Sequence, residues 1–413
     1  MATALLVLAV LTGDTRAEVV SLRAQTLLER TAIGCSEDLA LAERFVAFRR
    51  RVGREHEVVT CKHVQTFSDN LRHVEALRAE MRAMAKESSD EEDDGLDTAE
   101  YSVDHSPFGD MTPQEFQEKV LMTEIDTSHL GSVSQASLQE ATEASDMVFD
   151  WNEKGAVSAV RSQGSIGTCY AFAAAGAVEG QLAIHQGVQG AVVSVEHVIE
   201  CDEGQEETSE RTIADCGEFG GWPHLVFSFW KNQGGFVAED IFPYCAGELD
   251  AKTLMPKCFP CMARGYSKNG CGDHGDLYCN ASSTQGQGTH RPICKDRGWV
   301  RANRLGVPSS WTRLSTDVGE QTAQIAKTGP ATALMDATML QFYRRGVANP
   351  WLCSKSVKNH AVLITGHGPG WFRVKNSWGP KFGEDGFFRI REAKCGINDL
   401  VYSVALAGDQ NVQ

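Results

Sequence analysis

The sequence predicts an α+β protein, because its 413 residues divide into a helical first part and a strand-rich second part. Between Ser36 and Met84 the apolar residues recur every three or four positions, which is typical of amphipathic helices. From Val148 onward, short apolar segments alternate with glycine-rich turns, as in the strands of a sheet. A chain with 42% hydrophobic and 23% charged residues folds as a globular protein, here with room for two or three domains.

The charge is acidic and unevenly placed. The chain has a net charge of -16, and residues 1–143 carry most of it, with 14 Lys and Arg against 27 Asp and Glu. That sign disfavours nucleic acids and anionic membranes, so we expect no nucleic-acid partner. No apolar run after the first residues is long enough to cross a bilayer, so we expect no membrane span.

The first residues resemble a secretion signal. An apolar run, Leu5 to Leu11, is followed by Thr15-Arg16-Ala17, where small residues favour a cut after Ala17. Residues 1–17 are therefore predicted to be a signal peptide. No Lys or Arg precedes the run, and a short buried helix or strand is the alternative interpretation.

The cysteines indicate an oxidising compartment. Eleven of the 13 cysteines follow residue 143 at irregular spacings, which is typical of a disulfide framework. The sequon Asn280-Ala281-Ser282 agrees with secretion and glycosylation. We therefore expect the secretory pathway, ending in a lysosome-like vacuole or outside the cell.

The first part of the chain divides into helices and a linker. Two amphipathic helices are predicted between Ser36 and Met84, followed by an acidic insertion, Glu87 to Glu100, with eight acidic residues and no basic one. We interpret this insertion as a solvated linker. Thr112 and Pro113 have the residue types of an N-cap and a first helical position. Residues 127–145 are small and polar, which predicts an exposed boundary near residue 145.

In the second part, one long helix is predicted from Thr168 to a left-handed cap at Gly187. Three later segments are predicted strands: Ala361 to Thr365, Phe372 to Lys375 and Phe387 to Ile390. The segment from about residue 245 to about residue 305 contains six cysteines among many polar residues, and we expect a disulfide-stapled insertion.

A possible nucleophile stands at the start of the long helix. At this position the helix dipole and the free backbone N–H groups stabilise the thiolate of Cys169. Gln163 offers a side-chain amide to a developing oxyanion, and His360, at the start of an apolar strand, is a candidate general base. Asn376 could orient the imidazole, and Trp378 could cover the resulting hydrogen bond. A buried disulfide cysteine and a structural histidine are the alternative interpretation of these residues.

These motifs resemble the papain family of cysteine proteases over nearly the whole chain. Five segments carry the resemblance in residues 146–413: Asp150 to Val157, Gln163 to Phe172, Ser194 to Cys201, Gly220 to Pro223 and Asn376 to Gly379. Residues 18–145, through Phe45 to Leu77 and Phe108 to Phe116, are similar to the inhibitory propeptide of the cathepsin L-like branch. The resemblance implies a two-domain papain-like fold, with a helical and a β-sheet domain, preceded by its own propeptide as inhibitor.

The resemblance also implies roles for individual residues. Cys169 would be the nucleophile, His360 the acid and base and Asn376 its orienting group, with Gln163 in the oxyanion hole. Gly220 and Gly221 would form a ledge on which an extended substrate pairs. The second substrate pocket would be apolar and would favour a bulky hydrophobic side chain; its matching positions are Trp222, Pro223, Leu334, Ala361 and Leu400. The expected enzyme is a monomer that cleaves protein and peptide substrates without a cofactor or metal.

The cysteines and the prosegment show two departures from the family pattern and one agreement with it. Ile166 replaces a family cysteine, so Cys216 needs another partner or stays free. The family pattern implies a disulfide between Cys353 and Cys395, and for Cys201 a bridge to Cys245 or Cys258. His63 stands where Arg is common in the propeptide.

Two further readings of the insertion stay open. Cys169 and His360 are 191 residues apart, against about 130 to 150 for this signature, so the insertion adds some tens of residues. It loosely resembles the cathepsin B loop that favours exopeptidase action, with His274 as the candidate contact. Cys258 and Cys261 have zinc-ligand spacing, although an oxidising compartment favours disulfides. A catalytically weak protein that binds a partner through this insertion, or a metal-binding module, are therefore the alternative functions.

Overall fold

The computed structural model describes residues 27–55, 57–87, 98–127, 148–208, 212–248, 268–271, 294 and 296–408. Several predicted features lie outside these residues: the signal peptide, most of the acidic insertion, the sequon at Asn280, His274 and the pair Cys258 and Cys261.

Both helices and strands are present, as the α+β prediction requires. The helices are α1 (27–34), α2 (Leu39–Val52), α3 (Cys61–Glu87), α4 (Pro113–Lys119), α5 (Cys169–Gln186), α6 (Glu196–Cys201), α7 (Pro223–Gln233), α8 (Lys268–Cys271), α9 (Arg297–Asn303) and α10 (Val318–Thr328). The strands are β1 (Glu100–Tyr101), β2 (Ile125–Asp126), β3 (Phe149–Asp150), β4 (Gln205–Glu207), β5 (Thr212–Ala214), β6 (Phe236–Val237), β7 (Arg304–Gly306), β8 (Pro308–Arg313), β9 (Ala331–Met335), β10 (Tyr343–Arg345), β11 (Val347–Ala348), β12 (Val357–Lys358), β13 (His360–Gly368), β14 (Trp371–Lys375), β15 (Phe387–Arg391) and β16 (Leu400–Leu406).

The N-terminal region, residues 27–127, is built on α2 and α3. Phe45 and Phe48 of α2 pack against Phe67 of α3, with ring centroids 5.5 and 4.8 Å from that of Phe67. Beside this aromatic core, buried Arg49 and Asp110 form an ion pair with a 2.5 Å contact. Removal of one member of such a pair leaves the other charge buried and uncompensated, which is strongly destabilising.

A capping box starts α4, as the sequence predicts. The Thr112 hydroxyl accepts the Glu115 N–H, while the Glu115 carboxylate accepts the Thr112 N–H, and Pro113 occupies the first helical position. The two bonds satisfy N–H groups that the first turn leaves free. This start fixes where α4 places Phe116, which is fully buried.

The C-terminal region, residues 148–408, contains an eight-stranded sheet with the order β11-β15-β14-β13-β9-β16-β8, and β3 pairs with β13. Its pairs are antiparallel except for β11 with β15. The three predicted strands are confirmed as parts of β13, β14 and β15.

Helix α5 is the buried central helix of the C-terminal region. It runs from Cys169 to Gln186 and ends at Gly187, whose φ of 68° is the left-handed cap that the sequence predicts. Its residues from Cys169 to Leu182 are all buried, because the helix packs between the sheet and α7. The first turn of α5 therefore lies inside the protein, next to the start of β13.

The N-terminal region docks on an edge of the C-terminal region. Strand β1 pairs with β10, and the Ser102 N–H donates to the Phe342 carbonyl at 2.7 Å. The Glu100 carboxylate contacts Arg344 at 2.5 Å and Arg345 at 2.7 Å. Glu87 is the last residue of α3 and Glu100 belongs to β1, so both end residues of the predicted acidic insertion lie in regular elements. The solvated linker between them stays a prediction.

The disulfides require one correction. Cys353 bonds to Cys395, as the family pattern implies, and Cys216 bonds to Cys271. Cys201 bonds to Cys294, not to Cys245 or Cys258 as predicted. Cys294 lies near the C-terminal end of the predicted insertion and 93 residues from Cys201, so nearness in sequence gave the wrong partner.

Regular elements anchor the C-terminal end of the predicted cysteine-rich insertion. Helix α9 and strand β7 lie within its predicted range, and β7 pairs with β6.

A further disulfide, Cys35 to Cys61, joins the end of α1 to the start of α3. Across the described ranges, none of the helices combines the length and apolar character that crossing a bilayer requires.

Candidate active site

Cys169 is the first residue of α5 and is completely buried. Its Sγ accepts a hydrogen bond from the Ala361 N–H at 3.3 Å. Ala361 follows His360 in β13, so this contact brings the two predicted catalytic residues to adjoining positions. Cys169 is also the free cysteine of the described residues.

His360 is held by the predicted amide. Its Nε2 atom lies 2.8 Å from the Asn376 Oδ1, which also accepts the Ser377 N–H. Because Oδ1 can only accept, Nε2 carries the proton, and Nδ1 is left with a free electron pair. That Nδ1 atom is buried and has no hydrogen-bond partner. The arrangement leaves one nitrogen available to exchange a proton with a thiol.

Trp378 covers the histidine. Its ring stacks on the His360 imidazole with centroids 4.6 Å apart and an interplanar angle of 27°. Two phenylalanines of the N-terminal region, Phe108 and Phe116, pack edge-on against Trp378, each with centroids 5.3 Å apart. The N-terminal region therefore packs directly against the Trp378 indole, which shields the bond between His360 and Asn376.

Burial keeps both reactive groups neutral in this form of the protein. Burial raises the pKa of the Cys169 thiol to about 12, and backbone N–H bonds offset this only in part. Burial also lowers the pKa of His360 to about 4, against the opposing effect of the Asn376 bond. A neutral thiol is a poor nucleophile. The covered site therefore favours the thiol over the thiolate.

Gln163 is fixed by bonds on several sides. Its Nε2 donates to the Val120 carbonyl at 2.8 Å and to the Ile166 carbonyl at 2.7 Å. Its Oε1 accepts the Ser377 hydroxyl at 2.6 Å. The predicted oxyanion donor is thus directed at a peptide carbonyl of the N-terminal region.

Tyr244 is a site residue that the sequence did not indicate. Its hydroxyl donates to the backbone carbonyl of Gln163 at 2.7 Å and lies 2.9 Å from the Thr168 hydroxyl, next to Cys169. It therefore ties the loop of the oxyanion donor to the start of α5. No local pattern marks this tyrosine, because its contact spans 81 residues of sequence.

The N-terminal region continues through the groove beside these residues. The Met122 N–H donates to the Asn359 carbonyl and the Thr123 N–H to the Phe219 carbonyl, both at 2.9 Å. Strand β2 then pairs with β12, which ends two residues before His360. The segment Val120 to Asp126 thus lies between the loop at Phe219 and the segment before His360, and it fills the groove there.

The predicted pocket residues lie together. Trp222, Leu334, Ala361 and Leu400 belong to one buried hydrophobic cluster, in which Leu334 pairs with both Ala361 and Leu400 across the sheet. Met122 belongs to the same cluster, a contact that the sequence did not indicate. Pro223 follows as the first residue of α7.

The two predicted ledge glycines differ in what surrounds them. A Cβ atom on Gly220, where φ is 129°, would lie 2.7 Å from the Met122 Cβ, so the N-terminal region touches the ledge there. A Cβ on Gly221 would lie 2.5 Å from the Asp215 Oδ1 and 2.6 Å from the Tyr170 ring. Both positions need glycine because other atoms approach the backbone closely.

Two members of one group of possible metal ligands have other partners. Glu196, Glu200 and Cys245 approach one another within the described part of the chain. Cys245, however, is disulfide-bonded, and the Glu196 Oε2 accepts the N–H groups of Cys245 and Ala246 at 2.9 and 3.2 Å. Glu196 therefore positions the loop that carries Tyr244.

Comparisons with known proteins agree with this geometry. Residues 146–405 match the family described as "Papain family cysteine protease". Cathepsin F of Drosophila melanogaster is 28% identical over 384 residues, covering 88% of this chain and 50% of the fly protein. The probable cysteine protease RD19B of Arabidopsis thaliana is 27% identical over 385 residues, covering 89% of this chain and 88% of that protein. The chain thus spans about half the length of the fly relative.

Solved structures with the same fold include precursor forms. Digestive procathepsin L 3 of Tenebrio molitor has a TM-score of 0.58 and 25% identity, covering 89% of this chain and 99% of the other. The recombinant stem bromelain precursor has a TM-score of 0.60 and 22% identity, covering 89% of this chain and 100% of the other. The family match and the grouping of Cys169, His360 and Asn376 lead to one conclusion: the chain belongs to the papain family of cysteine proteases.

Proposed function

We propose that the protein is a cysteine endopeptidase made as an inactive precursor, in which Cys169 is the nucleophile. The observation that carries this proposal is the bond from the Gln163 amide to the Val120 carbonyl. It supports a site that holds a peptide carbonyl next to the thiol, as hydrolysis of a peptide bond requires. The residues 18–145 would be the inhibitory part of the precursor.

The reaction would proceed in two halves. The proton of Cys169 passes to His360 Nδ1, and the thiolate attacks the substrate carbonyl, whose oxygen gains negative charge near the Gln163 amide and the Cys169 N–H. The imidazolium then gives its proton to the leaving amine, and a thioester remains. Water, deprotonated by His360, hydrolyses the thioester and restores the thiol. The Asn376 bond keeps Nδ1 directed at the reacting atoms throughout.

The precursor would be inactive because the Val120–Asp126 segment fills the groove and keeps water out. Once this segment leaves, water reaches Cys169 and His360, and the desolvation that holds both groups neutral is relieved. The helix dipole at the start of α5 then favours the thiolate, and the Asn376 bond favours the imidazolium. Removal of the segment thus changes the chemistry of the thiol as well as access to it.

We also propose that the protein passes through the secretory pathway as a monomer. The disulfides of the described residues favour folding in an oxidising compartment, and an enzyme that matures in acid suits a lysosome-like vacuole or an acidic extracellular space.

Substrate preference is expected to depend on Leu400. This side chain is 2% exposed among the apolar pocket residues, so a bulky hydrophobic group should be preferred at the second position before the scissile bond. Leu400→Glu should place a carboxylate in the pocket and raise the kcat/KM ratio of Arg over Leu substrates by about tenfold or more. Paired fluorogenic dipeptides measure this ratio, with Leu352→Glu, at an exposed position, as the control. An unchanged ratio would show that Leu400 does not line the pocket.

Acid is expected to start processing by protonating carboxylates that hold the N-terminal region against the C-terminal region. Burial raises the pKa of Glu100, but hydrogen bonds from Arg345 and Arg344 outweigh it and hold the pKa below its usual value. A carboxylate whose pKa is lowered by binding stabilises the bound form at pH values above its ordinary pKa of about 4.3. This stabilisation is lost as the pH falls toward the pKa in the bound form. Within the N-terminal region itself, hydrogen bonding to Lys62 lowers the pKa of Glu115 to about 2, so this pair stabilises the fold of that region above the same pH range.

Glu100→Gln should consequently shift the midpoint of acid processing to a higher pH. The pair is partly exposed, so the expected loss of binding at neutral pH is modest, about twofold to fivefold. The midpoint is measured by electrophoresis after incubation over a pH series. Glu80→Gln, on the exposed face of α3, is the control and should keep the wild-type midpoint. A wild-type midpoint in Glu100→Gln would contradict the role of the carboxylate at the β1–β10 edge.

A further inference from the structure

Two buried aspartates face each other behind the ledge. Asp202 follows the last residue of α6, and Asp215 follows β5 and precedes Cys216. Their exposed fractions are 5% and 2%. Neither residue belongs to the proposed catalytic group, and no ion pair to a Lys or Arg is present at either carboxyl among the described residues.

One oxygen of each carboxyl group has a defined structural partner. The Asp215 Oδ1 accepts the Trp222 N–H at 2.6 Å, which attaches the ledge and the predicted pocket to this aspartate. The Asp202 Oδ1 accepts the Gly204 N–H at 2.7 Å. The backbone closes the same unit, because the Asp215 N–H donates to the Gly204 carbonyl at 2.9 Å.

The two carboxyl groups approach each other across Gly204, where an added Cβ would lie 2.8 Å from the Asp202 Oδ1 and 3.5 Å from the Asp215 Oδ2. The Oδ2 atoms of both aspartates are buried, and neither accepts a hydrogen bond from another group in the described part of the chain. Two carboxylates cannot hydrogen-bond to each other, because neither has a hydrogen to donate. A proton held between the two groups satisfies both of these oxygens.

Among the described residues, no Lys or Arg acts on either aspartate in place of this proton. Glu203 acts on Asp202 with the same sign, and the fully buried Tyr170, next to Cys169, directs a hydroxyl without a hydrogen-bond partner into the same region. On α7, His224 is engaged with Glu206 at 3.4 Å instead. Loss of the shared proton would thus leave two negative charges in contact in an apolar interior, which is costly.

The ledge is closely coupled to this pair. Besides the Trp222 bond, Gly221 lies so near Asp215 that an added Cβ would stand 2.5 Å from its Oδ1. A shift of Asp215 away from Asp202 would therefore displace Gly221 or break the bond to Trp222. Either change would alter the surface that the proposed function assigns to substrate binding.

We propose that Asp215 is a positioning residue for substrate: the proton it shares with Asp202 holds the Gly220–Trp222 ledge in place, so the cleft loosens when alkaline pH removes that proton. This inference rests on the proposed function, in which the ledge binds substrate. Burial, and for Asp215 also the charge of Asp202, raises the pKa of both carboxyl groups. For a raised pKa, the stabilisation is complete below the ordinary aspartate value and is lost as the pH rises through the raised value.

The test compares the pH dependence of KM in the processed wild type, Asp215→Asn and Asp202→Asn. An asparagine amide donates permanently to the remaining carboxylate, so it replaces the shared proton without titrating. Between about pH 6 and about pH 9 the wild-type KM for a hydrophobic dipeptide substrate should rise about fivefold or more, and both variants should change less than about twofold. The kcat profile, which depends on Cys169 and His360, should stay the same in all three proteins.

Asp150→Asn is the matched control. Asp150 is a buried aspartate of β3 whose carboxylate also accepts a backbone N–H, and this variant should keep the wild-type KM profile. Parallel KM profiles in wild type and Asp215→Asn would overturn the proposal.

A second measurement does not depend on activity or on a stable variant. In wild-type protein with ¹³C-labelled aspartate carboxyl groups, NMR measures the chemical shift of each carboxyl carbon over a pH series. At least one aspartate other than Asp150 should keep the chemical shift of a protonated acid well above about pH 5. Ordinary titration of all other aspartates would equally overturn the proposal. Because this readout needs no catalysis, it separates failure of this inference from failure of the Cys169 assignment.

Discussion

Cys169→Ser is expected to lower kcat/KM for peptide hydrolysis by at least about a thousandfold, because an alcohol in this site lacks the acidity and nucleophilicity of the thiol. The hydroxyl is close in size to the thiol, so the fold and the bond to the Ala361 N–H should persist. The variant cannot process itself and is cut with an added protease before assay. A fluorogenic dipeptide with a bulky hydrophobic residue measures the loss, and thermal unfolding confirms the fold.

Two companion variants identify the partners of the thiol. His360→Ala should abolish activity to a similar extent, since no other base lies at the site in the described residues. Asn376→Ala should lose about a hundredfold and keep a measurable rate, because orientation of the imidazole is only part of the rate enhancement. Wild-type turnover in Cys169→Ser would reject the mechanism, and a folded but inactive wild type would favour a binding protein.

Phe116→Ala is expected to release activity at neutral pH from the uncut chain. Phe116 is fully buried against Phe108 and Trp378, and truncation of such a side chain costs about 3 to 5 kcal/mol, which corresponds to more than a hundredfold in the closed-to-open ratio. Phe108→Ala should act in the same direction. The measurement is hydrolysis of the fluorogenic dipeptide at neutral pH, with electrophoresis to show that the chain is intact.

Leu39→Ala is the control for this experiment. Leu39 begins α2 and is 55% exposed, so its truncation should leave the uncut chain inactive. If Phe116→Ala were as inactive as this control, the packing of the N-terminal region on Trp378 would not be what closes the site. Full wild-type activity at neutral pH without any cut would reject the precursor hypothesis itself.

Short sequence motifs predicted those features that depend only on residues close together in the sequence. The helix cap at Gly187 and the capping box at Thr112 are set by residues within a few positions, and the structure has both. Cys169, Gln163, His360 and Asn376 could be singled out because each stands at the start of an element or in a short motif of defined chemistry. The structure brings these four side chains to one place.

Contacts between distant segments could not be predicted in this way. The bridge from Cys201 to Cys294 depends on where a long insertion returns, and the strand at Glu100 exists because β10 offers it hydrogen bonds and two arginines. Tyr244 and the pair of Asp202 and Asp215 are polar residues whose partners are revealed only by tertiary packing. Each of these features needed the fold before its meaning could be seen.

The N-terminal region is held at two separate places, the β1–β10 edge and the groove beside His360, and this has a consequence for inhibition after cleavage. While residues 128–147 join the two regions, the contact is intramolecular and acts at a high effective concentration. A cut in that connection breaks no hydrogen bond at either place, so the two pieces stay associated until dilution, acid or degradation separates them. The onset of activity after the cut should therefore depend on protein concentration, whereas the cut itself need not.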